Sequence, residues 1–221
     1  PMKTFYSLLL CAFLACGVKA QPWNSPLMIC ISNDGINFGA PSVFQDSSGV
    51  ATVLNLGGDT LICAFQWFPY PLQSTYFDKV AVKFSYDGGA TWTYPTPCNF
   101  TGSLPNGYQR PFDPAIVLLS NGQIRMYFST GINFQNMGDI DTYSALSTDG
   151  INYTYESGAR IAHPSLHSID PAAIYFDSLW YYTSWTSVSS DGSHRGTSTD
   201  GLTFTMTSML PYDGSHTWLG G

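Results

Sequence analysis

Two short acidic motifs in this chain of 221 residues could carry chemistry. They are Phe112-Asp113-Pro114-Ala115 and Ile169-Asp170-Pro171-Ala172, each followed by an apolar stretch, a turn and a Tyr-rich stretch. Proline is tolerated at the first residue of a strand, because its missing N–H costs no ladder bond there. We therefore expect Asp113 and Asp170 to start two equivalent strands, where paired carboxylates can divide acid and base work on a glycosidic bond.

Residues beside these aspartates could support that chemistry. Arg110 and His167 stand three residues before Asp113 and Asp170. Arg110 could keep Asp113 ionised or bind a sugar hydroxyl or carboxylate, and His167 could do similar orienting work. We predict both as substrate-binding residues. A purely structural role for the two aspartates stays open, because an aspartate before a proline often only caps a strand or turn.

A repeated Ser-x-Asp-Gly turn indicates the strands that must position these residues. The aspartates of its four copies follow one another at intervals of 53, 62 and 51 residues. In each copy the Asp side chain can accept a hydrogen bond from the N–H two residues on, and the glycine accepts a positive φ. Repetition at this period predicts a propeller or a solenoid. The copies begin at Ser32, Ser85, Ser147 and Ser198.

About four short strand signals accompany each full repeat, and helical periodicity is absent after residue 20. Four strands make one blade of a propeller. We therefore predict an all-β protein, a β-propeller of four-stranded blades over residues 21–221. We expect a half blade, three full blades and the start of another, in a five-bladed ring that is incomplete at the C-terminus of this chain.

Three further residues complete the predicted site. The first full repeat has Gly49-Val50 where the others have Asp-Pro, so Asp46 is the nearest acid that could serve as a third catalytic carboxylate. Trp67 and Trp185 follow predicted inner-blade strands, and we expect them to be exposed and to stack on sugar faces. Most other aromatic side chains are expected between the sheets, where they hold blades together.

Composition narrows the classes of partner. The net charge of −7 speaks against nucleic acid or another polyanion as a general partner. Charged residues make up 10% of the chain and aromatic residues 15%, a balance typical of a β-rich globular protein. We expect a monomer, and no spacing of residues predicts a metal or another cofactor.

The first twenty residues predict a secretory signal. Lys3 supplies the positive end, residues 5–17 are largely apolar, and Val18-Lys19-Ala20 suits cleavage. The apolar run is short for a membrane span, so we predict a secreted protein with no integral membrane span. Lipid attachment at Cys16 is the alternative.

Three cysteines remain after residue 20, at Cys30, Cys63 and Cys98. An odd number cannot all pair. Either one disulfide with one free thiol, or three buried thiols, is compatible with export.

Two resemblances to known families rest on these motifs. The turn from Ser85 to Trp92 looks like the Asp-box of sialidase-type propellers. The two Asp-Pro-Ala motifs, each with its apolar strand, turn and Tyr-rich strand, resemble the five-bladed propeller glycosidases of the arabinanase, xylosidase, levansucrase and invertase kind. That resemblance implies a glycoside hydrolase whose acidic groups come from different blades, one of them normally a Glu acting as general acid.

The sequence departs from that family pattern in its acids. Glu156 is the single Glu, and it follows a Ser-x-Asp-Gly turn on an outer strand, where we expect a solvated side chain. Blades that are missing at the C-terminus could hold the absent acid. The second hypothesis is a noncatalytic propeller that binds glycans or protein at a cell surface. A true sialidase is a third, but its arginine triad is hard to find, because only Arg110 stands at the start of an inner strand.

Overall fold

The computed structural model describes residues 25–71, 73–132, 139–161, 167–186, 192–207 and 209–210. Within these ranges the chain is all-β. No described helix is long and apolar enough to span a membrane. The strands are β1 (Leu27–Ile29), β2 (Ser42–Gln45), β3 (Ser48–Gly57), β4 (Thr60–Trp67), β5 (Lys79–Ser85), β6 (Thr96–Pro97), β7 (Asn99–Thr101), β8 (Phe112–Leu118), β9 (Ile124–Gly131), β10 (Ile140–Ser147), β11 (Asn152–Tyr155), β12 (Ile169–Phe176), β13 (Leu179–Trp185), β14 (Ser193–Ser198) and β15 (Thr205–Met206).

Three sheets share one antiparallel meander of four strands, and we call them blades 1, 2 and 3. Blade 1 is ordered β3-β4-β5-β6, blade 2 β8-β9-β10-β11 and blade 3 β12-β13-β14-β15. In blade 2 the short β7 adds to the outer edge by pairing in parallel with β11. Strands β1 and β2 form a separate antiparallel pair around the first Ser-x-Asp-Gly turn. The predicted blade of four short strands is therefore confirmed.

The blades stand side by side with their first strands innermost. Strand β3 contacts β8, and β8 contacts β12. Because these three strands run in the same direction along each blade, their starts lie at one end of the array. We call this end the mouth.

Apolar side chains between neighbouring blades form the core. One cluster joins blade 1, through Ile62, Ala64, Val80 and Val82, to blade 2, through Ile116, Met126 and Phe128. A second joins Tyr127 of blade 2 to Trp180, Tyr182 and Phe204 of blade 3. Burial of apolar surface contributes about 25 cal/mol per Å², which makes such contacts the main attraction between the sheets. Aromatic side chains lie in both clusters, so the expectation that they pack between blades is confirmed.

Strand β5 shows why its sequence is apolar on both faces. Val80 and Val82 pack toward blade 2, whereas Ala81 belongs to a cluster on the other face. That second face is covered by Phe44 of β2, and the Lys83 ammonium donates to the Phe44 carbonyl at 2.8 Å. Burial lowers the pKa of Lys83. The β1–β2 pair is therefore packed against blade 1 as a neighbouring sheet.

The Ser-x-Asp-Gly turns join the third and fourth strands of each blade. In blade 2 the Ser147 hydroxyl donates to Asp149 Oδ1 at 2.9 Å. The same oxygen accepts from the N–H groups of Ile151 and Asn152, both at 2.8 Å. The Asn152 amide donates to Asp149 Oδ2 at 2.7 Å. The predicted bond from the N–H two residues on is present, and it repeats at Asp34 and Asp200.

The turn of blade 1 is one variation on this pattern. Its extra residue moves the donors, so Asp87 accepts from the Thr91 N–H at 2.8 Å and from the Thr91 hydroxyl at 2.5 Å. The indole N–H of Trp92 donates to the Gly89 carbonyl at 3.0 Å, within the same turn. All four turns therefore satisfy their aspartates with donors from the same short loop.

The single Glu is part of a contact between blades, and the expectation that it is solvated is wrong. Glu156 accepts a two-pronged ion pair from Arg125, at 2.8 and 2.9 Å, and its side chain is 13% exposed. The Ser144 hydroxyl also donates to it. Arg125 in turn donates to the carbonyl of Asp200 at 3.1 Å, so the pair ties blade 2 to the turn of blade 3.

Cysteine pairing differs from both alternatives left open by the sequence. Cys30, Cys63 and Cys98 are all free thiols, and Cys30 is exposed while the other two are buried. Burial raises the pKa of Cys63 to about 12 and raises that of Cys98 as well. The two buried thiols therefore remain protonated packing groups rather than nucleophiles.

Candidate functional site

The three inner strands begin with the same backbone distortion. Val50, Asp113 and Asp170 have φ of 45°, 50° and 54°. Each stands where the register shifts against the second strand of its blade, between Gly49 and Thr52, between Phe112 and Ala115, and between Ile169 and Ala172. Positive φ is uncommon outside glycine and is least suited to a β-branched residue such as valine. The motif positions are therefore structurally equivalent, with Val50 in place of the acid in blade 1.

This distortion brings Asp113 and Asp170 from neighbouring blades into direct contact at the mouth. The Ser129 hydroxyl lies between them, since it bonds Asp113 and accepts from the Asp170 N–H at 3.1 Å. Asp113 is 6% exposed. Burial, the Asp170 charge and the hydrogen bond between the carboxyls raise the pKa of Asp113 well above its usual range. The predicted convergence of the two acids is thus present.

The two carboxyls titrate as a coupled pair. Burial raises the pKa of Asp170 too, but the hydrogen bond from Asp113 acts in the opposite direction on Asp170. Two adjacent carboxylates cannot both ionise easily, so such a pair holds one proton. The proton therefore belongs to the pair of carboxyls, and both pKa values are raised mainly by burial.

Asp113 also reaches a cavity of about 710 Å³ between blades 1 and 2 and the β1 segment. Phe68 and Phe77 form one wall, with ring centroids 5.6 Å apart in an edge-on arrangement. Gln66, Val50 and Asp78 line it as well. The volume falls in the range of pockets that hold small organic ligands. Two carboxyl groups, an amide and aromatic faces are therefore presented to one space.

Asp78 is the site residue that the sequence did not single out. It precedes β5 with φ 58° and accepts hydrogen bonds and an ion pair from Gln66 and Arg110. A usable signal was present, because β5 starts at the same end of its blade as the inner strand. An acid immediately before a third strand therefore belongs to the mouth, as an acid at the start of a first strand does.

Arg110 and His167 lie at the mouth, but each stands beside an acid outside the two motifs. Arg110 pairs with the Asp78 carboxylate and donates to its carbonyl. His167 Nδ1 is 3.7 Å from Asp141 Oδ1, and Asp141 also accepts from the Tyr108 hydroxyl at 3.2 Å. Their substrate-binding roles stay predictions.

The two tryptophans behave differently from each other. Trp185 is 6% exposed and packs with Phe112, Ile140 and Ile169, so the expectation of an exposed indole is wrong there. Four strand ends meet at this point and cover it. Trp67 is half-buried and stacks on Tyr76 with centroids 6.2 Å apart. Of the two, Trp67 keeps more surface for a ligand.

Asp46 lies between β2 and β3 with an exposed side chain, and it does not line the cavity. Its catalytic role stays a prediction. Among the described residues no group of three or more His, Cys, Asp or Glu side chains could hold a metal ion.

Known proteins resemble this chain in structure. No protein-family model matches it, and no curated protein is similar to it in sequence. A protein of unknown function from Dyadobacter fermentans aligns with a TM-score of 0.66 and 19% identity, over 88% of this chain and 60% of its own. A family 117 glycoside hydrolase from Zobellia galactanivorans aligns with a TM-score of 0.65 and 14% identity, over 87% of this chain and 58% of its own.

A third match is a family 32 β-fructofuranosidase from Bombyx mori, with a TM-score of 0.58 and 14% identity, over 97% of this chain and 44% of its own. At these identities the likeness is one of fold. Together with the radial four-stranded blades it defines the chain as a β-propeller. The chain spans 60% or less of the length of these three structures.

Proposed function

We propose that this propeller is an extracellular, monomeric glycoside hydrolase that cleaves glycosidic bonds at the Asp113–Asp170 pair. One observation carries the proposal: two buried or half-buried acids from neighbouring blades meet in direct contact at the edge of a ligand-sized cavity. A carboxylic acid kept neutral by its surroundings is the group that glycoside hydrolysis needs to protonate a departing sugar oxygen. The fold shared with two glycoside hydrolases supports the same class.

In this proposal Asp113 is the general acid, because it is the more buried member of the pair and the one that lines the cavity. Asp170 raises the pKa of Asp113 through its charge. Ser129 holds the two carboxyls in register by bonding both residues. Activity then requires protonated Asp113, so the rate falls as pH rises through its raised pKa.

The net charge and the lining of the cavity favour a carbohydrate as the substrate. A net charge of −7 disfavours polyanions, whereas the cavity offers hydrogen-bonding groups beside aromatic faces, which suits a carbohydrate. We further propose that the ring has five blades with Asp-box turns of the sialidase type, and that residues 1–20, which lie outside the described residues, direct export. Lipid attachment at Cys16, also outside them, is the alternative anchor.

The test is hydrolysis of a panel of aryl glycosides by the wild-type protein and by Asp113→Asn and Asp170→Asn. Loss of a general acid or of its partner costs about 100-fold or more in rate, so we expect both variants to lose at least that much. Asp177→Asn is the matched control, because Asp177 is exposed in the β12–β13 turn and also has a positive φ, 49°. Full activity in both mouth variants would refute the site.

A noncatalytic glycan-binding propeller is the second candidate, and one observation favours it. The carboxylate of Glu156, the single Glu of the sequence, is taken up by Arg125 and Ser144. Glu156 therefore does not supply an acid at the mouth. Oligosaccharide binding measured by calorimetry, without turnover by the wild-type protein, would establish this alternative.

The sialidase alternative gains no support from the arginines. Arg110 pairs with Asp78, Arg125 with Glu156, Arg160 with the carbonyls of Ser157 and Gly158, and Arg195 with the Thr207 hydroxyl. Recognition of a sugar carboxylate by three arginines needs them at one place, whereas these four are spread over different contacts.

A further inference from the structure

The cavity holds a second carboxyl group besides Asp113, and it belongs to Asp78. Asp78 stands at the start of β5 in blade 1, across the interface from Asp113 in blade 2. Its side chain is 23% exposed, against 6% for Asp113 as a whole residue. Of the two acids that line this space, Asp78 is thus the one with more access to water.

The surroundings of Asp78 favour its charged form. Arg110 forms an ion pair with one carboxylate oxygen, and the Gln66 amide donates to the other. Both contacts bond the ionised state and disfavour protonation. Asp113 has the opposite surroundings, since its neighbours are the Asp170 carboxyl and buried strands.

The backbone holds Asp78 in this position. Its φ of 58° lies in the left-handed region, where a non-glycine residue is uncommon. Its N–H donates to the Trp67 carbonyl at 2.7 Å, which closes the loop between β4 and β5. Strain of this kind persists where the surrounding structure fixes a side chain, and it clusters at functional sites.

We propose that Asp78 is the catalytic base of this propeller, an inference that rests on the glycoside hydrolysis proposed above. Water attacks the anomeric carbon while its proton passes to the Asp78 carboxylate. The bond between that carbon and the glycosidic oxygen breaks, and the oxygen leaves with the proton of Asp113. A new C–O bond replaces the old one, and exchange with solvent returns the proton from Asp78 to the pair.

Two other carboxyls fit this role less well. Asp170 shares the proton of Asp113 and does not line the cavity. Asp46 is exposed and lies outside the lining as well. A pair of acids placed in opposite surroundings is the pattern that marks acid and base. Asp78, beside the Arg110 guanidinium, and Asp113, beside the Asp170 carboxyl, have this pattern.

The test uses Asp78→Ala and the aryl glycoside that the wild-type protein hydrolyses fastest. Removing the base is expected to lower kcat by about 100-fold or more, with a smaller change in KM. Azide is small enough to replace the lost carboxylate and attack the anomeric carbon itself. We therefore expect sodium azide to restore turnover in the variant and to yield a glycosyl azide, detected by mass spectrometry.

Asp59→Ala is the control, because Asp59 is exposed in the β3–β4 turn at the other end of blade 1. It should keep wild-type activity and form no azide product. Activity of Asp78→Ala within about threefold of wild type would overturn the assignment, as would a loss that azide does not restore. Either result leaves glycoside hydrolysis standing, whereas a wild-type protein without hydrolysis would refute the proposed function itself.

Discussion

The aspartates of the repeated turns and the Asp113–Asp170 pair at the mouth are placed in opposite electrostatic surroundings. In the Ser-x-Asp-Gly turns the carboxylates accept bonds from donors in their own loop, and the Thr91 hydroxyl and N–H lower the pKa of Asp87 to about 2. At the mouth, burial and the Asp170 charge raise the pKa of Asp113. Aspartate therefore stabilises the repeated turns in its ionised form, whereas the surroundings of Asp113 at the mouth favour a protonated carboxyl.

The residue that follows each aspartate explains part of this difference. Glycine in the turns bends the chain so that successive N–H groups point at the carboxylate, as in the bonds from Ile151 and Asn152 to Asp149. Proline follows Asp113 and Asp170, and it has no N–H to offer. The mouth aspartates consequently find their partners on other strands, which makes them dependent on how the blades pack.

The largest expected effect is the loss of stability in Gly150→Ala, next to a turn aspartate. Gly150 has a φ of +76°, and an added Cβ would lie 2.5 Å from Cδ1 of the fully buried Ile62 in blade 1. The left-handed backbone costs alanine about 1 kcal/mol, and the overpacking about 2 kcal/mol. We expect the free energy of unfolding in urea to fall by about 3 kcal/mol.

Gly122→Ala separates the two causes. Gly122 has a similar φ, +82°, but an added Cβ would meet no atom within 4 Å. Only the backbone cost of about 1 kcal/mol is expected there. Equal losses in the two variants would show that the corner of blade 2 is not packed tightly against blade 1.

The next effect is the loss of a turn carboxylate in Asp149→Ala. This change leaves the N–H groups of Ile151 and Asn152 without their acceptor. Hydrogen bonds to a charged group contribute about 1.5–3 kcal/mol, and partial exposure of this turn reduces that figure. We expect a loss of about 2 kcal/mol in urea unfolding at pH 7. Asp59→Ala, in an exposed turn, should cost little, and a comparable loss there would undermine the special role of the repeated turns.

The turns were easier to predict from the sequence than the mouth, because their contacts are local and those of the mouth join different strands. The turns and the blade pattern were predictable, because their hydrogen bonds join residues within a few positions. The meeting of Asp113 and Asp170 was predictable too, since both carry one motif. The burial of Trp185 and the partners of Arg110 and Glu156 were not, because Phe112, Asp78 and Arg125 lie on other strands. Contacts between distant segments leave no local signal.

A smaller effect of the opposite sign is expected in Asp113→Asn. A carboxyl whose pKa is raised on folding contributes most stability below its ordinary pKa of 3.8, and this contribution is lost as pH rises through the raised value. The amide does not titrate. Relative to wild type, the variant should therefore gain stability as pH rises from 4 to 7, measured by urea unfolding at both values. A difference that does not change with pH would mean that Asp113 does not hold a proton at the mouth.

The smallest effect belongs to an exposed turn, in Asp87→Asn. Because the folded pKa of Asp87 is lowered to about 2, its contribution is present above pH 3.8 and is lost as pH falls through about 2. The amide variant should lose stability at pH 5 and match wild type at pH 2, which urea unfolding at the two values can measure. Asp59→Asn is the control without such bonds.

These last two variants test the comparison jointly, because their pH dependences run in opposite directions. Removing a mouth carboxyl should help most at neutral pH, whereas removing a turn carboxylate should harm most above pH 3.8. If both variants shifted stability with the same sign, the turn of blade 1 and the mouth of blade 2 would share one electrostatic character. The mouth would then have no special means of storing a proton for chemistry.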